Sequence, residues 1–254
     1  MLLLVTDTSG KHGSVALARA GAEPKPDDVT MIEAVPLVGG TFSAQLVPQI
    51  AALLAKHQLS KTDIGAFIVV SGPGSFTGLR VGLAAIKALA EILHKPIVPV
   101  SLLEVVAQSV IFVAASCAGA TKPTSVLYAV ALDAGRGEAF VGQYEITVTG
   151  KKTSTFRCTR ESLLPLEELA VLAESGSVQW IATPDAAVLD FLRRRSAITA
   201  KHILNQRERP RSAGVVKVGW RKLQAGETVT PEQLEANYIR RSDAEIFSKP
   251  ASSS

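Results

Sequence analysis

The sequence predicts a mixed α/β protein made of two duplicated lobes. Residues 2–19 and 128–145 share one pattern, in which an apolar strand ends in an aspartate and a glycine-containing turn leads into a second alternating strand. Each stretch is typical of a β-hairpin. The second hairpin begins 126 positions after the first, about half of the 254-residue chain. Strand and helix patterns alternate after both hairpins, as they do in α/β domains.

In the first half, residues 43–57 carry apolar side chains at helical spacing. A β-branched strand at 66–70 leads through a glycine-rich turn into a helix at 79–93. This helix is rich in small residues, which permit close packing of helices. A short strand at 97–100, bracketed by prolines, follows it.

In the second half, the apolar stretch 102–120 contains Glu104 and Gln108 and therefore indicates a buried helix instead of a membrane span. The patterns after the second hairpin predict helices at 166–174, 186–194 and 213–223, a strand at 178–182 and an extended piece at 238–241. We therefore expect an N-terminal lobe at 1–104, a C-terminal lobe at 105–241 and a flexible tail at 242–254.

The composition indicates a globular protein, with 47% hydrophobic and 20% charged residues. Cys117 and Cys158 form no C-x-x-C pattern, which is typical of a reduced intracellular protein. The apolar residues 1–5 are followed by Asp7, too early for a signal peptide. We expect a cytoplasmic protein.

Basic residues are concentrated in residues 193–222. This block holds ten of the 27 Lys and Arg residues and one of the 23 acidic residues, so the rest of the chain carries 17 basic and 22 acidic side chains. Such a positive block suits a nucleic acid or an acidic partner, although solubility is a plain alternative. No nucleic-acid-binding motif accompanies it, so a contact would be to backbone and shape. The candidate contacts are Arg193, Arg194, Arg195, Arg207, Arg209 and Arg211.

The glycine-rich turn, residues 71–82, reads S-G-P-G-S-F-T-G-L-R-V-G. It lacks the Lys-Ser/Thr of a P-loop, and Gly78 comes one position too late for G-x-G-x-x-G. A G-x-S-x-G elbow would need glycine in place of Pro73 and Thr77. Two interpretations stay open: an anion site at a helix N-terminus, or a tight turn whose glycines admit a nearby backbone or a partner. Arg80 is expected to reach outward to a partner or a phosphate, or simply into solvent.

The glycine-rich turn, the opening L-V-T-D-T-S, the segment A-L-D-A-G-R-G-E-A-F and the closing Y-I-R-R-S-D-A-E together resemble the TsaB (YeaZ) family. The resemblance covers nearly the whole chain, and the glycine-rich turn is its most specific part. It implies the actin-like/sugar-kinase/Hsp70 (ASKHA) fold, with two ribonuclease-H-like lobes. It also implies a non-catalytic subunit that binds and activates TsaD, with the ATPase TsaE, in forming N6-threonylcarbamoyladenosine (t6A) at position 37 of tRNAs that read ANN codons.

The resemblance further implies a surface for TsaD, or for a second copy of the chain when TsaD is absent. It would comprise the glycine-rich turn and the neighbouring helices. From the charge distribution we also expect the basic block to position tRNA. The family's usual H-S-Q is replaced here by Phe42-Ser43-Ala44. The expected partner contacts are Gly72, Pro73, Gly74, Ser75, Phe76, Thr77, Gly78, Arg80, Phe42 and Leu46.

We expect no metal and no cofactor of the chain's own. TsaD-type enzymes bind a metal with two histidines on a first-lobe helix, but the helix that starts near Thr41 has no such pair. The four histidines have no partner four residues away, and His57 and His94 are expected to interact with carbonyls at helix ends.

Nucleotide binding remains open at the sequence level. Enzymes of this fold grip phosphate and Mg²⁺ with hairpin turns after an acidic strand end, so Asp7, Thr8 and Ser9 are candidate contacts, with Asp133 in the second hairpin. The alternative is that each aspartate caps its own turn. We therefore consider an adenine nucleotide near the TsaD junction and, as a rival function, an autonomous sugar-kinase-like ATPase.

Overall fold

Two five-stranded sheets form the framework of the protein in a computed structural model. The structure describes residues 1–21, 28–38, 40–118, 122–149, 152–195, 203–205 and 212–240. Within these residues the two sheets have the same connectivity.

The first sheet has the strand order β3-β2-β1-β4-β5. The first three strands are antiparallel, and β4 and β5 are parallel to β1. Helices α1 and α2 pack side by side on one face of this sheet. The bounds are β1 Leu2–Asp7, β2 His12–Ala20, β3 Val29–Val38, α1 Phe42–Lys56, β4 Ile64–Gly72, α2 Phe76–Leu93 and β5 Ile97–Ser101, with a short 3₁₀ turn at Lys61–Asp63.

The second sheet has the order β8-β7-β6-β9-β10 when counted from the corresponding edge. Strands β6, β7 and β8 are antiparallel, and β9 and β10 are parallel to β6. The bounds are α3 Leu102–Ala118, β6 Thr124–Gly135, β7 Glu138–Thr149, β8 Lys152–Pro165, α4 Leu166–Glu174, β9 Trp180–Thr183, α5 Ala186–Arg193, β10 Ile203–Asn205 and α6 Ser212–Gln224.

The side chains of β1 alternate between two apolar clusters, one on each face of the first sheet. Leu2 and Leu4 face the cluster under α1 and α2, whereas Leu3 and Val5 face a central cluster. That central cluster includes residues of both lobes and of helices α3 and α6. Because α6 returns to pack on the first sheet, one continuous apolar core joins the two lobes.

The predicted fold class and both hairpins are confirmed. The helix predicted at 79–93 begins three residues earlier, because Ser75 caps it. The third strand of each lobe and β10 were not predicted. In the piece predicted to be extended, residues 239 and 240 form a bend, and residue 238 belongs to no regular element. Tail residues 242–254 lie outside the described residues, and the lobe boundary at 104/105 stays a prediction.

The histidine prediction needs a correction. His57 and His94 do end α1 and α2, but the His57 ring contacts a carboxylate, with Nε2 lying 2.8 Å from Oε2 of Glu33. Hydrogen bonds from Lys56 and His57 lower the pKa of Glu33 below its ordinary value.

No helix within the described part of the chain is long and apolar enough to cross a membrane.

Candidate partner-binding face and interlobe cleft

The glycine-rich turn comprises the end of β4, the connection at residues 73–75 and the first residues of α2. The Ser75 hydroxyl accepts a hydrogen bond from the Gly78 N–H at 3.3 Å and so caps the helix. Gly72 has φ +136°, a conformation that favours glycine, and the Gly72–Pro73 peptide bond is cis. Helix α2 begins at Phe76, so the second half of the glycine-rich turn is helical.

The glycines of this turn pack against the β1–β2 turn of the same chain. A Cβ at Gly74 would lie 2.2 Å from the carbonyl oxygen of Ser9, and one at Gly78 would lie 2.2 Å from that of Thr8. A Cβ at Gly82 would lie 2.2 Å from the Thr8 hydroxyl. The tight-turn interpretation is therefore supported, but the backbone that the glycines admit belongs to this chain.

The β1–β2 turn is held by its own aspartate. Oδ1 of Asp7 accepts hydrogen bonds from the Ser9 N–H at 2.9 Å and from the Ser9 hydroxyl at 2.6 Å. Thr8 and Ser9 are 1% and 4% exposed. Ser9 still lines the interlobe cleft described below, so a nucleotide contact at these residues stays a prediction. The two hydrogen bonds support the alternative in which Asp7 caps its own turn.

The second hairpin repeats this arrangement. Oδ1 of Asp133 accepts a hydrogen bond from the Gly135 N–H at 2.8 Å. The Asp133 N–H in turn donates to Oδ2 of Asp185 at 2.8 Å, where Asp185 precedes α5. Both lobes thus use an aspartate at or near the end of their first strand to shape the turn.

A cleft of about 1000 Å³ separates the two hairpin turns. Residues 237–240 and the glycine-rich turn complete its walls, and Asp133 is the acidic residue that lines it. Four long basic side chains also line it: Lys11, Arg80, Arg136 and Arg240. This basic lining suits a phosphate-bearing ligand. The expected adenine nucleotide stays a prediction for this cleft.

Phe76 and Arg80, both expected to contact a partner, contact Tyr238 of the same chain. The rings of Phe76 and Tyr238 lie 4.9 Å apart, and Arg80 Nε donates to the Tyr238 hydroxyl at 3.2 Å. The Arg80 guanidinium also lies 3.7 Å from the Phe76 ring centroid. Arg80 remains exposed and Phe76 half-buried.

Phe42 and Leu46 are almost entirely buried. Their side chains are 5% and 1% exposed and belong to the cluster beneath α1 and α2. Both side chains anchor α1 to the sheet, and Phe42 also lines a hollow beside the glycine-rich turn, so their role as partner contacts stays a prediction. Gly72, Pro73 and Gly78 are buried as well, which leaves Ser75, Thr77 and Arg80 exposed and Gly74 and Phe76 partly so.

The outward side of α1 forms a surface that the residue-level prediction missed. Lys56, the last residue of α1, is the one charged residue of this helix. The exposed positions of α1 before Lys56 are Ser43, Ala44, Val47, Pro48, Ala51, Ala52 and Ala55. Beside them on α2, Ala84 and Ala88 are exposed and Val81 and Ala85 half-buried. We call these eleven positions the α1–α2 face.

The α1–α2 face ends at a hollow of about 410 Å³ beside the glycine-rich turn. Ser43, Thr77 and Val81 line this hollow together with Lys11. The signal that could have identified the face is the run of fourteen α1 residues without a charge, since an exposed helix is ordinarily polar on its outer side.

The structure describes part of the basic block. Arg193 and Arg194 are exposed at the end of α5, and the Arg195 guanidinium lies 5.4 Å from the Phe191 ring centroid. Arg207, Arg209 and Arg211 lie outside the described residues. At the other end of the block, Lys222 pairs with Glu227 at 2.6 Å, so the block also forms internal contacts.

A polar network lies between α3 and α6. Burial raises the pKa of the Glu104 carboxyl above its ordinary value, against the opposing attraction of Lys222, whose Nζ lies 3.7 Å from Glu104 Oε2. Gln108 donates to Glu104 and accepts from Arg221. Among the residues that the structure describes, no group of three or more His, Cys, Asp and Glu could hold a metal ion.

The repeated sheet topology, the two hairpin turns and the cleft between them define a protein of the actin-like/sugar-kinase/Hsp70 fold. The family model described as TsaD, tRNA N6-adenosine threonylcarbamoyltransferase, matches residues 37–246. The chain belongs to this family, on its TsaB (YeaZ) branch.

Curated relatives and a solved structure agree with this assignment. The chain is 29% identical to the TsaB protein of Bacillus subtilis over 145 residues, or 57% of this chain, and spans about half of that relative's length (56%). It is 26% identical to the Escherichia coli TsaB protein over 251 residues, 96% of both chains. The structure of YeaZ from Pseudomonas aeruginosa has a TM-score of 0.66 at 24% identity and covers 93% of this chain and 99% of its own.

Proposed function

We propose that the protein is a non-catalytic accessory subunit of t6A biosynthesis. It binds and activates a TsaD-type transferase, together with a TsaE-type ATPase, in threonylcarbamoylation of adenosine 37 of tRNAs that read ANN codons. The relatives named above are threonylcarbamoyladenosine biosynthesis proteins. The observation that carries the proposal is the α1–α2 face, which is largely exposed, uncharged and rich in alanine.

The composition of this face suits a helical partner. Alanine side chains at positions 44, 51, 84 and 88 allow another helix to approach closely, and Val47, which is 54% exposed, adds apolar area at the centre of α1. Contiguous exposed apolar surface is typical of a protein interface. The glycine-rich turn lies at the N-terminal end of the face, where Ser75 and Thr77 form its polar rim.

The same face suits a second copy of the chain when the transferase is absent, because small uncharged residues impose little charge selectivity. A TsaD-type partner belongs to the same family and is expected to present an equivalent pair of helices, which would give a pseudo-two-fold interface. Activation would then follow from holding the transferase in its competent arrangement.

The hairpin geometry supports a subunit without chemistry of its own. The Asp7 carboxylate accepts two hydrogen bonds from Ser9, and the glycine-rich turn covers Thr8. In the rival ATPase these groups would face phosphate and Mg²⁺. The exposed Arg193 and Arg194 would contact tRNA in the complex, and an adenine nucleotide would lie in the basic cleft near the transferase.

Reconstitution of t6A formation tests the proposal. The purified chain is mixed with its TsaD-type and TsaE-type partners, the threonylcarbamoyl donor and an ANN-reading tRNA, and t6A is measured with each protein omitted in turn. We expect t6A to be formed by the full mixture and lost when this chain is omitted. Undiminished t6A formation without the chain would contradict the proposed function.

A further inference from the structure

The segment after α6 crosses the cleft and contacts both lobes. Residues 237–240, which we call the strap, line the cleft between the glycine-rich turn and the β6–β7 turn. Their contacts alternate between elements of the first lobe and elements of the second.

Asn237 connects the glycine-rich turn to the second lobe. Its N–H donates to the carbonyl oxygen of Ser71 at 2.8 Å, at the end of β4. Its own carbonyl oxygen lies 2.8 Å from the point where a Cβ at Gly72 would stand. The Asn237 side-chain amide donates to Oε2 of Glu161, on β8, at 2.5 Å.

Glu161 extends this connection through its other oxygen. Oε1 accepts a hydrogen bond from the Ser101 hydroxyl at 2.6 Å, where β5 of the first lobe ends. It also accepts from the Tyr144 hydroxyl at 3.3 Å, and Tyr144 of the second lobe is fully buried in the central cluster. One carboxylate therefore holds the strap, the first sheet and the second sheet together.

The other strap residues continue the alternation. Tyr238 packs on Phe76 and accepts from Arg80, both on α2 of the first lobe. Arg240 forms an ion pair with Glu138 at the start of β7 in the second lobe. Opening the cleft by moving the lobes apart would break the contacts at one end of the strap or at the other.

We propose that the strap is an interlobe clamp, centred on the Asn237–Glu161 hydrogen bond, that holds the cleft at one opening and fixes the glycine-rich turn to the second lobe. This goes beyond the proposed accessory function, which needs the α1–α2 face but no fixed arrangement of the lobes. Asn237 and Glu161 are positioning residues in this account.

A donor–acceptor exchange tests the clamp in the isolated full-length chain. Asn237→Asp keeps the size of the side chain but removes its donor and places a carboxylate against that of Glu161. Adding Glu161→Gln restores one donor and one acceptor, because the glutamine amide donates to the new carboxylate while its oxygen still accepts from Ser101 and Tyr144. The double-mutant cycle isolates this one contact from general effects on stability.

The first readout is the distance between the lobes. Spin labels are attached at Lys61→Cys on the first lobe and Val171→Cys on the second, both exposed positions, with the native cysteines replaced by serine. We expect Asn237→Asp to give a longer and broader distance distribution and the double variant to restore the original one. The control is Arg157→Ala, which removes an ion pair with Glu145 within the second sheet.

The second readout is amide hydrogen exchange of residues 72–79. Loss of a hydrogen bond to a charged group should speed this exchange by about tenfold in Asn237→Asp, with restoration in the double variant. An unchanged distance distribution and unchanged exchange in Asn237→Asp would overturn the clamp. A double variant with the same distance distribution as Asn237→Asp would overturn the clamp as well. Neither result depends on a transferase partner, so failure of the clamp and failure of the proposed function are distinguishable.

Discussion

The carbonyl oxygen of Thr8 lies 2.2 Å from the point where a Cβ at Gly78 would stand. Seventy positions separate the two residues in the sequence, yet the first hairpin turn and the start of α2 are in backbone contact. The hairpin turn is shaped by Asp7, and the helix start is shaped by Ser75. The glycine-rich turn therefore packs two parts of one lobe together, in addition to any contact that it makes with a partner.

Gly78→Ala should destabilise the protein because of this contact. Alanine is ordinarily favoured over glycine inside a helix by about 1 kcal/mol, but the backbone carbonyl of Thr8 cannot move away as a flexible side chain would. We expect the free energy of unfolding to fall by about 1–3 kcal/mol, measured by urea denaturation. The matched control is Ala88→Ser at an exposed position of the same helix, where a change within about 0.5 kcal/mol is expected. A stabilising Gly78→Ala would contradict the close contact.

The purified chain should show no steady ATP turnover with Mg²⁺, since Oδ1 of Asp7 accepts from the Ser9 N–H and hydroxyl and so shapes the hairpin turn. Asp7→Asn should instead lower the free energy of unfolding by about 1 kcal/mol through the weakened turn. Phosphate release and urea denaturation are measured for both proteins, with Asp190→Asn on exposed α5 as the control. Steady turnover that disappears in Asp7→Asn would favour the ATPase.

Stability should depend on pH through Glu104. Burial raises the pKa of this carboxyl in the folded state, so the folded protein retains a proton that the unfolded chain has lost. Above the ordinary carboxyl pKa, the folded protein thus loses stability as pH rises, until the raised folded-state pKa is passed. Lys222, Glu227 and Glu161 also act on this carboxyl.

Glu104→Gln removes this titration while keeping an acceptor for Gln108. We expect the variant to gain stability relative to the original chain as pH rises from about 4.5 to 7, the ordinary range above a carboxyl pKa. Urea denaturation at each pH measures the difference, and Glu174→Gln on the exposed end of α4 is the control. A pH-independent difference for Glu104→Gln would show that its pKa is not raised.

The basic block should contribute salt-dependent tRNA binding to the complex with the transferase. Arg193→Gln, Arg194→Gln and Arg195→Gln together should reduce the slope of log affinity against log salt concentration by up to about three, one for each lost phosphate contact. Arg157→Gln, which is exposed at the β7–β8 edge, is the control. An unchanged slope in the triple variant would place the tRNA contacts elsewhere.

Much of the fold followed from local patterns. The two hairpins and α1, α2, α4, α5 and α6 were predictable because their apolar periods are clear over many residues. The strands β3 and β8 were not, because they pair at one side with an antiparallel neighbour and expose many residues to solvent. Pro36 within β3 further weakened its strand pattern.

The site was less predictable, because its contacts join distant positions. A glycine pattern predicts that another backbone segment packs closely, but it does not identify that segment. Here the segment is the backbone of Thr8. Tyr238 meets Arg80 across 158 positions. Nothing local to either residue indicates that pairing. Phe42, placed by sequence on the partner surface, proved to be buried because α1 turns that position toward the sheet.

The most direct test of the central claim is the rate of t6A formation as a function of the concentration of this chain, with transferase, ATPase, donor and tRNA held constant. Val47→Asp places a charge at the centre of the α1–α2 face, and Ala187→Glu places one on exposed α5 as the control. We predict saturable stimulation by the original chain and by the control, and a half-saturating concentration about 100-fold higher for Val47→Asp, the loss typical of an interface hot spot. If Val47→Asp stimulated t6A formation as well as the original chain, or if t6A formed fully when this protein was omitted, the account would be contradicted.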